Sequence, residues 1–513
     1  MEQNKYDVII VGAGLAGLSL ALMLIERKPD IRIAVVAKHV FTETNSFYAQ
    51  GGIAASLDNQ DNLAQHVKDT VIASSYSADT DVVAAILSHS HDAISWLIKQ
   101  GVQFDKNGDT LHLTQEGGHT TRRILHIADH TGSGIMQVLW SKVQDFTNID
   151  IINDQVIELM VHGDCCYGVV TIKNHKMIAS EVVLATGGLG QIYPYTTNPL
   201  GATGDGIALA QEAGAKISDL EFIQFHPTVL YNSGGFLISE AMRGEGAILY
   251  NIAGTRFMQQ YDDRLELAPR DIVSRAIYDQ IMQVIQSNSD KPYVLLDISH
   301  KPAEVIIEHF PNIYQKCLEL GFDITKQPIP VVPAAHYSCG GIDTDLNAQT
   351  SIKHLYAIGE CANTGLHRAN RLASNSLLEC VIMATQCMSD ILKKDLFVVV
   401  ADNYLNFCDD NKIKYCDSRD DTLDINHIVK IRNQIQALAW QYLGILRSIS
   451  ELDQLFINLT EYKKYLGEIT ADSEHSYEYI LYYHETMNII RVIELVAQAV
   501  RMRPESLGTH FVI

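Results

Sequence analysis

The chain has 513 residues, 47% of them hydrophobic, and carries 61 Asp plus Glu against 39 Lys plus Arg, a net charge of −22. That length exceeds one hydrophobic core and predicts about three domains, while the acidic balance disfavours nucleic acid or an anionic membrane as partner. No apolar run reaches the roughly 18 residues of a membrane span, and Met1 to Asp7 is polar and acidic, unlike a signal peptide, so a cytoplasmic protein is expected.

In chain order, Val8 to Val11 is a short apolar strand signal running into Gly12, Ala13, Gly14, Leu15, Ala16 and Gly17, the GxGxxG of a strand, tight turn and helix. Glycines there permit positive φ and let backbone N–H groups approach a pyrophosphate at the helix start. An apolar helix pattern from Leu15 to Ile25 follows, then a second strand signal, Ile31 to Val36. The acidic residue that usually holds an adenosine ribose is due about 20 residues on, yet Ala37 and Lys38 stand there, which argues against an ordinary nicotinamide site. A second glycine-rich loop comprises Phe47, Tyr48, Ala49, Gln50, Gly51 and Gly52, with Asn45 and Ser46 just ahead of it. Val182 to Ala185 reads as a strand ending in Thr186, Gly187 and Gly188, and Thr203 to Gly206 opens an apolar helix pattern with Asp205 at the expected N-cap. Leu355 to Ile358 is a further strand signal, closed by Gly359 and Glu360.

After that strand come Arg368 and Arg371, then Ser374, Asn375, Ser376 and Leu377, which read as a helix start. A helix N-terminus beside arginines makes an anion site. The glycine-rich loops together with the Glu360 loop fit one extended, two-part cofactor such as FAD better than unrelated turns. A dicarboxylate needs two cationic or hydrogen-bonding clusters a few ångströms apart, and His226, Ser239, Arg270, His336 and Arg371 can supply them. His226 precedes Pro227 and His336 lies in an apolar segment with Pro333, so each also has a reading as a buried structural histidine. Nine cysteines show no CxxC; Cys339, Cys361 and Cys380 read as small buried residues, and no His and carboxylate spacing suggests a metal.

FYAQGGIAA from Phe47, EGGHTTRRILH from Glu116, FHPT from Phe225, SEAMRGEG from Ser239, LAPRDIVSRAI from Leu267, PAAHYSCGGI from Pro333 and LHRANRLASNSLLE from Leu366 span nearly the whole chain. In these motifs the sequence resembles the flavoprotein family of succinate dehydrogenase and fumarate reductase, most closely its L-aspartate oxidase branch. The resemblance implies FAD along the N-terminal domain and a carboxylate substrate between that domain and an inserted cap. Branches that attach FAD covalently do so through a histidine five residues before the glutamine of AQGG; Asn45 stands there, so noncovalent FAD is expected. By the same match, Arg371 and His336 would hold the α-carboxylate of L-aspartate, His226 and Ser239 its side-chain carboxylate, and Arg270 would serve proton transfer. Glu116 would orient the amino group, because an ammonium wants an anion and succinate would gain nothing from one. Arg122 and Arg123 are read as balancing Glu116. Hydride would pass to the flavin, with the helix near Ser376 aimed at the charge that develops there. Oxygen or fumarate would reoxidise it. Quinolinate synthase is the partner that relatives use, on the route to NAD, and a monomer or weak oligomer is expected. A soluble fumarate reductase and a disabled flavin-binding paralogue are the alternatives.

The expected fold is α/β: a Rossmann-like FAD-binding domain (1–219 and 338–407), an inserted α+β capping domain (220–337) and a C-terminal helical bundle (408–513). The bundle is read from apolar stripes at Ile428, Ile431, Ile435, Leu438, Tyr442, Ile445 and Ile449, and at Ile489, Val492, Ile493, Val496 and Val500. Three departures stand out: Arg368 replaces the family's glycine, Ser239 a threonine, and Glu505 to Gly508 reads ESLG where ESRG is usual, with the tail ending at Ile513. Arg368 could crowd the pocket, contact a carboxylate or turn outward.

Overall fold

The computed structural model describes residues 5–57, 60–286, 291–394, 396, 414–415, 421–470 and 474–513. β1 (Lys5–Val11) carries an apolar, β-branched run, Val8 to Val11, buried on both faces, as a central parallel strand must be. α1 (Leu15–Arg27) is buried from Leu15 to Ile25, so it is apolar on almost every face. β2 (Ile33–Ala37) begins two residues later than its apolar run, because the Ile31 N–H closes a turn onto the Lys28 carbonyl.

β3 (Ile149–Asn153), β4 (Val156–His162), β5 (Cys165–Thr171) and β6 (Lys176–Leu184) complete a sheet in the order β3-β2-β1-β6-β5-β4, joined by a strand at Leu355–Ala357 to give seven. The β3, β2, β1, β6 and Leu355–Ala357 pairings are parallel, while β4, β5 and β6 form an antiparallel meander. Register places Val11 beside Leu184, and Leu184 beside Ala357. The loops that follow these three strands therefore emerge side by side at the carboxyl edge of the sheet, where open α/β sheets bind ligands.

Between these strands in sequence, β7 (Ile223–Leu230), β8 (Ile248–Tyr250), β9 (Val294–Asp297) and β10 (Ile329–Ser338) form a separate antiparallel sheet in the order β7-β10-β9-β8. It has its own core, which includes Leu249, Val273, Ile277, Leu296 and Val331. α2 (Asn375–Ile391) returns to pack on α1. Three long helices follow, α3 (Thr422–Leu443), α4 (Leu452–Thr470) and α5 (Tyr477–Met502), and their buried stripes close the other face of the seven-stranded sheet. Ile445 and Ile449 fall outside the first stripe's helix, because the chain leaves helical geometry at Gly444. The expected boundary at 407–408 lies outside the described residues.

Candidate active site

A cleft of about 910 Å³ runs from the carboxyl edge of the seven-stranded sheet to β7 and β10. Of the residues expected to hold FAD, Gly12, Ala13, Gly14, Leu15, Ala16, Lys38, Asn45, Ser46, Tyr48, Ala49, Gln50, Gly51, Gly52, Asp205, Glu360, Ser376 and Leu377 line it. Gly17 and Phe47 do not. A Cβ on Gly17 would stand 2.1 Å from the Gly12 carbonyl, so that glycine serves the packing of helix on turn, and the Phe47 ring packs edge-on against Phe41 at 5.9 Å. Asp205 is the first residue of helix Asp205–Glu212 and Gly204, at φ 76°, is the cap. Its carboxylate is drawn away from capping by Lys38 Nζ at 2.7 Å, Thr203 Oγ1 at 2.8 Å and Asn488 Nδ2 at 2.8 Å. Lys38 also donates to Glu485 at 2.6 Å, so its ammonium is committed to protein carboxylates linking the sheet to α5.

The cleft fits an extended polar ligand. Gly12 has φ 119°, and a Cβ there would lie 2.1 Å from the Ala185 carbonyl, so backbone alone shapes that wall. Gln50 Oε1 is buried with no hydrogen-bond partner. Asn45 donates to Glu360 Oε2 at 2.9 Å, and Glu360 Oε1 accepts from the Ser338 N–H at 3.1 Å.

At the far end His226, Ser239, Arg270, His336, Arg371 and Glu116 all line the same cleft. The two imidazoles meet edge to face at 5.2 Å. His226 Nδ1 accepts the Thr228 N–H at 3.3 Å, so its Nε2 carries the proton, and that buried donor has no partner. His336 Nδ1 lies 2.8 Å from Thr197 Oγ1. Burial, with Arg270 and His336 close by, keeps His226 neutral, its pKa well below the ordinary range; burial and Arg371 do the same for His336. Both therefore act as neutral hydrogen-bonding groups. Ser239 caps a short helix by accepting the Ala241 N–H at 3.3 Å, which leaves its hydroxyl proton free for a ligand.

Arg371 stacks on the Tyr337 ring at 4.1 Å and donates to Ser376 at 2.8 Å, and its buried Nε has no hydrogen-bond partner. Arg270 donates to Glu240 at 2.6 Å and to Gln224 at 3.0 Å, and Gln224 in turn donates to the Arg371 carbonyl at 2.8 Å. Burial works against the Glu240 charge, but Arg270 and Arg243 outweigh it and hold the carboxyl at about 2. Glu116 has the opposite balance. It accepts from Ser374 at 2.6 Å, yet burial, reinforced by Glu240, raises its pKa. The cleft end thus combines an unmatched arginine, two neutral donors and one carboxylate that would gain from a cationic partner.

The family model for the FAD binding domain matches residues 7–377. The chain is 43% identical to the L-aspartate oxidase of Neisseria meningitidis serogroup B, over 99% of each chain, and 42% identical to L-aspartate oxidase 1 of Ralstonia nicotianae, over 99% of this chain and 95% of that one. The chain belongs to the L-aspartate oxidase family. FAD is its cofactor. Among solved structures, an E. coli quinol fumarate reductase FrdA chain superposes with a TM-score of 0.87 at 29% identity, covering 99% of this chain and 91% of that one. Mycobacterium smegmatis Sdh1 gives 0.79 at 28%, covering 99% and 88%.

Against that family, Arg368 does not line the cleft. It sits at φ 47°, which explains a glycine at this place, and turns outward to bind Asp219 at 2.7 Å. The C-terminal segment returns to the same loop: Thr509 N–H donates to the Ala369 carbonyl at 3.0 Å, and a Cβ on Gly508 would stand 2.4 Å from that oxygen. Arg123 is not the counter-ion of Glu116. It is wholly buried against Asp69 at 2.6 Å, while Arg122 is exposed. Sequence reading passed over Glu240, Gln224 and Tyr337, and took Ser374 only as part of a helix start, not as the partner of Glu116. Glu240 alone carried a signal, lying beside Ser239 and one helical turn from Arg243, because buried arginines need a counter-ion.

Proposed function

We propose that this protein is an FAD-dependent L-aspartate oxidase that converts L-aspartate to iminoaspartate. Bound FAD supplies the two-electron acceptor for the α-hydrogen, with oxygen (giving hydrogen peroxide) or fumarate as the final acceptor. Arg371 and His336 bind the α-carboxylate, His226 and Ser239 bind the side-chain carboxylate, and Glu116 accepts the amino group. Arg270, fixed by Glu240 and Gln224, moves the proton at the reacting carbons. Residues 220–337 act as a cap over the FAD-binding parts, 1–219 and 338–407, with 408–513 as a helical support. Asn45 offers an amide where covalent attachment needs an imidazole, so FAD is held noncovalently. The product enters NAD biosynthesis through quinolinate synthase, in the cytoplasm, from a monomer or weak oligomer. Among the described residues no helix is long and apolar enough to cross a membrane.

The observation that carries this reading is Glu116, a carboxylate in a cleft end otherwise built to bind anions; the other carboxylate there, Glu240, is already matched by Arg270 at 2.6 Å. For succinate Glu116 would only repel; for an amino diacid it is the complement. Anaerobic addition of L-aspartate to the FAD-loaded protein is expected to bleach the flavin absorbance, with succinate leaving it oxidised. Bleaching by succinate and not by L-aspartate would replace this reading with that of a fumarate reductase.

A further inference from the structure

Glu116 sits in a closed ring of hydrogen bonds. Its Oε2 accepts from Ser374 Oγ at 2.6 Å. Ser374 is held at φ 62°, and the carbonyl just before it, on Ala373, lies 2.9 Å from His119 Nε2. The His119 N–H closes the ring by donating to the Glu116 carbonyl at 3.2 Å. A guanidinium can only donate, so the 3.0 Å contact from Arg123 Nη1 makes His119 Nδ1 the acceptor and puts the ring proton on Nε2, facing Ala373. Arg123 is itself pinned by Asp69 at 2.6 Å, and Asp69 also accepts the Thr120 N–H at 2.9 Å. Burial holds His119 at about 4, so the neutral form persists at neutral pH. None of these three side chains lines the cleft; His119 is 5% exposed, Asp69 1% and Arg123 0%.

We propose that His119 is a positioning residue for amine selection. Locked as its Nε2–H tautomer by the Asp69–Arg123 pair, it fixes Ala373 and Ser374, and through them the direction in which Glu116 presents its carboxylate. The proposal rests on the L-aspartate reading above. It concerns only the amino contact: the groups assigned to the two carboxylates of the substrate stand outside the ring.

The two amide replacements separate the two bonds of the imidazole. His119→Gln places an N–H where Nε2 stands and keeps the bond to Ala373; His119→Asn keeps an acceptor for Arg123 but ends short of Ala373. Dissociation constants of L-aspartate and succinate are read anaerobically on FAD-loaded protein, L-aspartate from the concentration dependence of bleaching and succinate from the shift of the flavin spectrum. The Asn variant should weaken L-aspartate about tenfold, the cost of misplacing one charge-assisted hydrogen bond, with succinate within about twofold of the unchanged protein. The Gln variant should restore L-aspartate binding. An Asn variant that binds L-aspartate as the unchanged protein does, or one in which both ligands weaken together, would overturn the inference, as would a Gln variant no better than Asn. If the unchanged protein is not bleached by L-aspartate, the activity reading falls, and the spectral shifts caused by both ligands still decide the role of His119.

Discussion

The two ends of the cleft are built from different materials. At the sheet edge, the walls are backbone: Gly12 and the loops after β1, β6 and Leu355–Ala357, positioned by strand register. At the far end the walls are side chains from distant parts of the chain, Glu116, His226, Arg270, His336 and Arg371, each held by a neighbour's hydrogen bond. A backbone-built site cannot be altered without disturbing the fold, whereas a side-chain-built site can lose one contact and keep its shape. Substitutions at the first end should therefore cost cofactor and stability, and those at the second should cost affinity or rate alone.

The sharpest break comes from Gly12→Ala. With φ 119° and a carbonyl 2.1 Å from the new Cβ, the turn must open, and the expected product loses its FAD on gel filtration; full flavin retention would contradict the backbone-built wall. Next is Arg371→Leu, expected to keep FAD but to lower kcat/KM for L-aspartate about a thousandfold, the scale of leaving a buried carboxylate without its cation. Its succinate affinity should fall as well, which an equilibrium titration of the flavin spectrum would read.

A smaller effect separates the two carboxylates of the site by pH. Glu240 is held at about 2 against an ordinary 4.5, so the stability it contributes is complete above 4.5 and is lost only as pH falls toward 2. Glu116 is raised, so it takes up a proton at higher pH than an ordinary carboxylate. Protonating Glu116 at low pH should accordingly raise KM for L-aspartate, while succinate, freed of the repelling charge, binds as well as or better than before. His226 and His336, kept neutral throughout, add no step of their own. The smallest effect belongs to Arg368→Gly. It relieves a left-handed arginine, worth about 1 kcal/mol, at the loss of a half-exposed pair with Asp219 worth a few tenths. A melting temperature raised by about 1 °C at most, with unchanged kcat/KM, is expected in a thermal scan.

The same division explains what could be read from the sequence. The run from Val8 to Gly17 is local: strand, turn and helix follow from adjacent residues, and their places in the structure agree. Phe47 and Gly17 were the exceptions: Phe47 turns its ring onto Phe41 from a short helix, and Gly17 lies in α1, where its missing side chain lets the helix pack on the Gly12 carbonyl. Asp205 looked like a cap because its partners Lys38 and Asn488 are remote in sequence. His119 reaches Ala373 across 254 positions, and Arg123 reaches Asp69 across 54; no periodicity or short spacing carries that information. Arg368 stood out as a bulky residue in a glycine's place, but only the backbone angle and the outward ion pair resolve where it goes.

The claim that Glu116 chooses the aminated diacid is tested most directly by comparing Glu116→Gln with the unchanged enzyme for two ligands, L-aspartate and succinate. The variant should bind L-aspartate about tenfold or more less tightly, as loss of a charged hydrogen bond requires, and succinate as well as or better than before. Equal weakening of both, or unchanged discrimination between them, would contradict the account.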